Sequence, residues 1–314
     1  MSKLTLGELG EHAAIAAIIA AAPSKVNGDD AAVLAPPAPN SRTVASTDVL
    51  VEGRHFTLDW SSPENIGEKA IVQNFADIEA MGARPVAALL GLVAPASMSA
   101  DVVVGIANGI RQRAERYNAE LIGGDLTEGD CLVVSITAIG ILGGSQNPLT
   151  LDAARPGQRL VAAGRIGYSA AGLALLQECG TGYPREFSDL VQAHRVPELT
   201  PGRGVVARAT GATGMTDNSD GLIVDLRHLA LRSGVLIDLH SNEIAPDSLL
   251  VEAGKFLNVD PWNWVLTGGE DHTLLATTSK EAPSGFRTIG SVYRGCGVTV
   301  DGAKPKYQTG WVSF

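Results

Sequence analysis

Six short clusters of hard oxygen donors punctuate the sequence between residues 28 and 271. They are Gly28-Asp29-Asp30, Ser46-Thr47-Asp48, Asn74-Phe75-Ala76-Asp77, Gly123-Gly124-Asp125, Asp217-Asn218-Ser219-Asp220 and Gly269-Glu270-Asp271. No histidine or cysteine lies inside any of them, so their chemistry suits magnesium rather than zinc or copper. Four fall in the first half of the chain and two in the second. The expectation is a multi-magnesium site for a polyphosphate, assembled by folding both halves together. Asp217 and Asp220 are near enough to raise each other's pKa and cost stability unless a cation or donor compensates. An Asx turn with a helix cap at Gly221 is the structural alternative, and capping and ligation can coexist. Ser46 and Asp48 alternate along a strand and share a face, leaving Thr47 to reach a metal through its backbone or a bend. Asp77 sits on an otherwise apolar helix and needs a cation, an internal donor or solvent. Asp29 reads as a turn residue.

Composition narrows the partners. The 314 residues carry a formal net charge of −10, with 45% hydrophobic and 18% charged residues. That length favours two domains, and that apolar fraction excludes a disordered chain. The acidic balance disfavours nucleic-acid and anionic-membrane binding. It also means that a nucleotide approaching an aspartate-lined site is repelled unless cations intervene. The apolar run at residues 13–22 is too short to span a bilayer, no leader pattern is present, and the cytoplasm is the expected compartment. Cys131, Cys179 and Cys296 match no metal spacing, and their odd number argues against a disulfide framework, so they read as buried, unreactive thiols.

The elements that must position the acids follow from apolar patterning. A helix is expected over 4–22, a short strand over 32–34, and a strand over 43–47 that delivers Asp48 at its end. Ser61-Ser62-Pro63-Glu64 starts a helix running to about Met81, on which Asn74 and Asp77 share a face. A buried strand spans 86–93, and Ser99 caps a helix to Tyr117. A strand at 121–122 leads into a Gly123-Gly124-Asp125 turn, and a β run covers 132–142. After a Pro-rich boundary at 147–157 come strand 159–163, helix 169–179, strand 212–215, helix 221–232, strand 235–239 and an alternating strand 273–278. The predicted division is 1–148 and 149–314. No P-loop, no dinucleotide fingerprint, no protein-kinase motif and no nucleophile elbow is present.

In order, these stretches resemble the thiamine-monophosphate kinase family of the aminoimidazole-ribonucleotide-synthetase-like (PurM-like) ATP-binding superfamily. The resemblance rests on Gly28-Asp29-Asp30-Ala31-Ala32, Ser46 through Phe56, Lys69 through Ala83, and Leu121 through Asp125. It continues over Ser169-Ala170-Ala171-Gly172-Leu173, Asp217 through Leu222, and Gly268-Gly269-Glu270-Asp271. It implies an α/β (α+β mixed) two-domain fold, an N-terminal half-barrel sheet with helices followed by a C-terminal α/β domain, and a homodimer. It implies Asp30, Ser46, Thr47, Asp48, Asp77, Asp125, Asp217 and Asp220 as ligands of several Mg2+ ions. Gly124, Asp125, Ser219 and Asn108 would contact ATP. His55, Glu270 and Trp311 would bind thiamine monophosphate. Transfer would be direct and in line, with Asp48 and Asp220 acting through metal and no covalent nucleophile. The enzyme alternative is an aminoimidazole ribonucleotide synthetase type, and the non-enzyme alternative is a non-catalytic divalent-cation or nucleotide-binding homologue. Three features depart from the family: Leu151 stands in place of an ATP-contacting arginine, whose phosphate contact is then missing or comes from elsewhere, such as Arg155; His272 replaces a tyrosine; and Val312-Ser313 follow Trp311.

Overall fold

The computed structural model describes residues 4–25, 32, 34 and 38–311. The chain forms two compact units, Met1–Ile78 with Arg84–Ser145, and Glu79–Ala83 with Gln146–Phe314. Among the described residues no helix is long and apolar enough to cross a membrane.

The first unit contains α1 (Leu6–Leu9), α2 (Glu11–Ala21), β1 (Arg42–Val51), α3 (Pro63–Ala80), β2 (Arg84–Ala94), α4 (Ala100–Glu115), β3 (Glu120–Glu128) and β4 (Val133–Leu142). Its sheet runs β1-β4-β2-β3. β2 and β3 are parallel, with α4 as their crossover, while β4 pairs antiparallel with both β1 and β2. β4 alternates strictly between buried and half-buried residues, so one face of the sheet is covered and the other is more open. Ile66, Ala70, Ile71, Phe75 and Ile78 of α3 and Val103, Ile106 and Ile110 of α4 are fully buried. At the start of α3, Ser62 Oγ accepts from Asn65 N–H and Pro63 occupies the first turn. Ser99 caps α4.

Four expectations change here, beginning with the cysteines, of which Cys131 and Cys296 are exposed and Cys179 is half-buried rather than buried. The opening helix is two helices, because Gly10 is at once the C-cap of α1 and the N-cap of α2. β1 does not stop at Asp48. All ten of its residues pair with β4, so Asp48 lies in mid-strand opposite Ile136. The β-branched residues on both sides of it sustain the strand. Gly123-Gly124-Asp125 is likewise no turn, being paired in parallel with Leu89-Leu90-Gly91. A glycine is needed at 124 because a Cβ there would lie 2.1 Å from the carbonyl oxygen of Leu90. The expected strand at 32–34 falls mostly outside the described residues.

The second unit contains β5 (Arg159–Ala163), α5 (Tyr168–Cys179), a 3-10 turn (Arg185–Phe187), α6 (Ser188–Arg195), α7 (Arg203–Thr210), β6 (Ala212–Asp217) and α8 (Leu222–Ser233). It continues with β7 (Val235–Leu239), α9 (Ser241–Ile244), α10 (Ser248–Leu257), α11 (Pro261–Thr267), β8 (Leu274–Thr278), β9 (Arg287–Arg294) and β10 (Gly297–Val300). The sheet order is β10-β7-β9-β5-β8-β6, antiparallel except for the β10–β7 pair. β8 is buried at all five positions instead of alternating, as a strand inside a sheet covered on both faces must be.

Gly124→Ala should destabilise the protein by about 1–3 kcal/mol, since the methyl group meets backbone that cannot move aside cheaply. Denaturant unfolding checks this, and an unchanged midpoint would show that β3 does not hug β2 at this point.

Candidate functional site

Each unit carries a carboxylate cluster. In the first unit, β1 and the last turns of α3 are joined by two hydrogen bonds. Ser46 Oγ donates to the Asp77 carboxylate, and Asp48 N–H donates to Asn74 Oδ1 at 3.0 Å. Asn74 Nδ2 donates to Ala70 O at 2.9 Å, so this fully buried amide is fixed by its own helix. The strand period puts Ser46 and Asp48 on one side, and the three-residue spacing puts Asn74 and Asp77 on the facing stripe. Ser46, Asp48, Asn74 and Asp77 are therefore brought together. Thr47 is not with them, because β1 is regular at this point. Its side chain is on the other face, where Oγ1 bonds Ile136 O and accepts from Thr137 Oγ1, each at 3.1 Å. By the register Thr47–Thr137–Leu89–Gly123, the exposed Asp125, two residues along β3, belongs to that same open face. Gly124 precedes it on β3, and Asn108 is half-buried on α4.

His55 follows in the tight turn after β1. Its Nδ1 accepts from Val51 N–H at 3.0 Å, which leaves Nε2 to carry the proton of the neutral ring. The turn is fastened from α3, where the buried Lys69 ammonium donates to His55 O at 2.9 Å. Asp30 lies outside the described residues.

In the second unit, β6 delivers Asp217 at its last residue and Gly221 caps α8 four residues later. The 268–273 loop runs beside this one as a continuation of the β6–β8 pairing. Asn218 N–H donates to Thr273 O, His272 N–H to Asn218 O and Glu270 N–H to Ser219 O, at 2.8–2.9 Å. Glu270 and His272 have positive φ values of 61° and 51°, a left-handed strain that the paired loops hold in place. His272 Nδ1 is 2.8 Å from Asp217 Oδ2, so the residue that replaces the family's tyrosine faces the first carboxylate. Asp220 is pushed up by burial and then by Asp217. Ser219 lies between the two acids, its Oγ 3.5 Å from Asp217 Oδ1. Glu270 Oε2 is 3.4 Å from Nδ1 of the buried His194 on α6. The backbone N–H of Trp311 donates to Asp220 O at 2.9 Å.

Two acids have roles the sequence did not disclose. Asp225 is buried one turn into α8, where Oδ2 accepts from Asp220 N–H at 3.1 Å and Gly221 N–H at 3.0 Å. Burial, then Asp217 and Asp220, push it up to about 8. Asp271 accepts from Gly167 N–H and Ser169 N–H and so caps α5 from a distant loop, with burial raising it to about 7. For Asp225, an acid one turn into a helix that begins at Gly221 is the local signal that could have marked it. The Asp271 link joins residues 102 and 104 positions apart, and sequence spacing carries no trace of it. Near the Leu151 departure, the Arg155 guanidinium is engaged within its own turn. Its Nη1 donates to Asp152 O and Ala154 O, both at 2.8 Å.

Residues 28–142 match the family described as AIR synthase related protein, N-terminal domain. The thiamine-monophosphate kinase of Corynebacterium glutamicum is 62% identical over 314 residues, covering 99% of this chain and 95% of that one. The chain belongs to the thiamine-monophosphate kinase family. The Mycobacterium tuberculosis member is 45% identical over 317 residues, covering 99% and 93%. Among solved structures, the Stenotrophomonas maltophilia thiamine-monophosphate kinase matches with a TM-score of 0.81 at 30% identity, covering 92% of this chain and 96% of that one. A structure described as "AaThiL complexed with AMPPCP and TMP" also has a TM-score of 0.81, at 33% identity over 100% of both chains. The thiamine-monophosphate kinase fold, with its PurM-like superfamily, is thus the fold of this chain.

Because Asp225 titrates higher in the folded than in the unfolded chain, the stability it contributes is full below the ordinary carboxylate range and is lost as pH rises through about 8. Asp225→Asn keeps an acceptor oxygen without that titration. In chelator, its stability relative to wild type should therefore improve as pH is raised from 4 to 8. A difference that stays flat across that window contradicts the environment described for Asp225.

Proposed function

We propose that this protein is an ATP-dependent kinase that phosphorylates thiamine monophosphate directly, giving thiamine diphosphate and ADP. The observation that carries the reading is the side-by-side placement of Ser46, Asp48, Asn74 and Asp77 in one unit and of Asp217, Ser219 and Asp220 in the other. Both sets occur within a chain so similar to kinases of this name. The same reading takes the working form to be a cytoplasmic homodimer.

The donor sets fit magnesium. Among the described residues no group of three His, Cys, Asp or Glu side chains is placed to hold a metal. Mg2+ characteristically takes one or two carboxylates and completes its shell with water and substrate phosphates, so a closed protein cage is not expected. Ser46, Asp48, Asp77, Asp125, Asp217 and Asp220 would be the protein's ligands, and the family resemblance adds Asp30 and also Thr47, the latter from the open sheet face it shares with Asp125. Bound magnesium would supply charge neutralisation at the phosphates.

The chain's own residues then bind and orient. Gly124, Asp125, Ser219 and Asn108 contact ATP. His55, its tautomer fixed by Val51 N–H, offers Nε2–H to a phosphate oxygen of thiamine monophosphate. Trp311 stacks on a thiamine ring, and Glu270 accepts from a polar group of the same substrate. The acceptor is a phosphate monoester already largely ionised near neutral pH, with a second pKa of about 6. No strong general base is needed, and the barrier is lowered by alignment and by stabilisation of charge.

ADP release that requires both magnesium and thiamine monophosphate, and is not elicited by thiamine or by formylglycinamidine ribonucleotide, tests the whole reading. ADP release elicited by the latter compound assigns the chain to the synthetase type, and none with any acceptor leaves a binding protein. Asp220→Asn should fold normally and lose about a hundredfold to a thousandfold in kcat, the scale of a lost charge-stabilising contact. Wild-type turnover by that variant refutes the ligand assignment. Trp311→Ala should raise KM for thiamine monophosphate about tenfold or more, the scale of a lost ring stack, with KM for ATP nearly unchanged. Equal changes in both would remove Trp311 from the acceptor site.

A further inference from the structure

The segment 305–311 has no helix or strand of its own beneath Trp311, yet it is fastened at three points. Lys306 Nζ and Tyr307 Oη both donate to Asp260 Oδ2, at 2.6 and 2.9 Å. Arg227, on the second turn of α8, donates from Nη1 to Gln308 O at 2.9 Å and from Nη2 to Gln308 Oε1. Trp311 N–H donates to Asp220 O at 2.9 Å. Between the last two points, Gly310 lies flat against the start of α8. A Cβ there would come within 2.5 Å of both Asp220 O and Val224 Cγ2. The strap therefore meets α8 without a spacer, and Trp311 is left 42% exposed beside the Asp217–Asp220 loop.

We infer that Arg227 is a positioning residue for the acceptor site, holding the 308–311 strap so that the Trp311 ring is presented to the heterocycle of the phosphorylated substrate. This rests on the stacking role given above to Trp311. Arg227 does not touch the substrate. Its guanidinium is a planar fork, and here the two arms grip one residue by its carbonyl and its side-chain oxygen, fixing position and orientation at once. A lysine in its place would hold at most one of those contacts as a point charge. An exposed ring on irregular backbone must otherwise be ordered at each binding event, which weakens affinity without touching the chemistry. Because Arg227 lies two residues beyond Asp225 on the same helix, α8 fastens both the carboxylate loop at its N-terminus and the ring beside it.

The test uses the full-length protein with Arg227→Gln and, as a milder change that leaves α8 intact, Gln308→Ala. Hydrogen exchange of the peptide carrying 308–311 is measured by mass spectrometry alongside steady-state kinetics. Both variants should exchange this peptide faster than wild type. KM for thiamine monophosphate should rise about fivefold, while kcat and KM for ATP hold within about twofold, as expected for a cost paid in ordering alone. In a Trp311→Ala background Arg227→Gln should add nothing further to KM. Unchanged exchange in both variants overturns the latch itself. A KM effect that persists without Trp311 shows that Arg227 acts by another route. If Trp311→Ala leaves KM unchanged although the strap loosens, the stacking reading fails, and the positioning role fails with it.

Discussion

Repulsion between carboxylates is the constraint around which the second unit is built. Asp217 and Asp220 are separated by two residues, Asp225 lies buried behind them, and the chain as a whole carries a net charge of −10. At about 4 Å, two like charges cost on the order of 4 kcal/mol for an effective dielectric near 20. The protein answers part of this itself. Backbone N–H groups of Asp220 and Gly221 point at Asp225, and the His272 ring faces Asp217. What they leave uncompensated is a demand for cations, and a cation held by so few protein ligands is well placed to accept phosphate oxygens. On the reading proposed above, the acidity that repels a bare nucleotide would make nucleotide binding conditional on metal.

The rest of the unit keeps the acids from relaxing apart. Pairing between the 217–220 and 268–273 loops, with Glu270 and His272 in left-handed conformations, turns two loops into an extension of the sheet. Asp271 reaches out of that extension to cap α5. In the first unit the same end is reached differently, by hydrogen-bonding an edge strand to a helix through Ser46–Asp77 and Asp48–Asn74. Rigid elements in both cases fix donors in advance, which is where a phosphoryl-transfer enzyme gains most.

Much of this was legible from residue types and spacing. Strands Arg159–Ala163 and Val235–Leu239 and the Ser62–Pro63 helix start carry strong local signals, and all are present as expected. The pairing of Ser46 with Asp48 and of Asn74 with Asp77 followed from periods of two and 3.6. Other features depend on non-local partners. Asp48 looked like a strand end because a charged residue weakens β propensity, but β4 pairs across it. Gly123-Gly124-Asp125 looked like a turn because glycine allows one, whereas here glycine serves close approach to Leu90 O. The short helices Ser188–Arg195, Arg203–Thr210, Ser248–Leu257 and Pro261–Thr267 lack long apolar periods, and packing rather than propensity stabilises them. His194 and Arg227 act through residues 76 and 81 positions away. No pattern in a single sequence marks them.

The central claim is that these carboxylates make polyphosphate binding obligatorily metal-dependent. Calorimetric titration of the intact protein with a non-hydrolysable ATP analogue, in magnesium and in chelator, tests it most directly. The account predicts binding in magnesium and a loss of at least about a hundredfold in affinity, or about 2.7 kcal/mol, when the cation is removed. Equal affinity in the two conditions would contradict it.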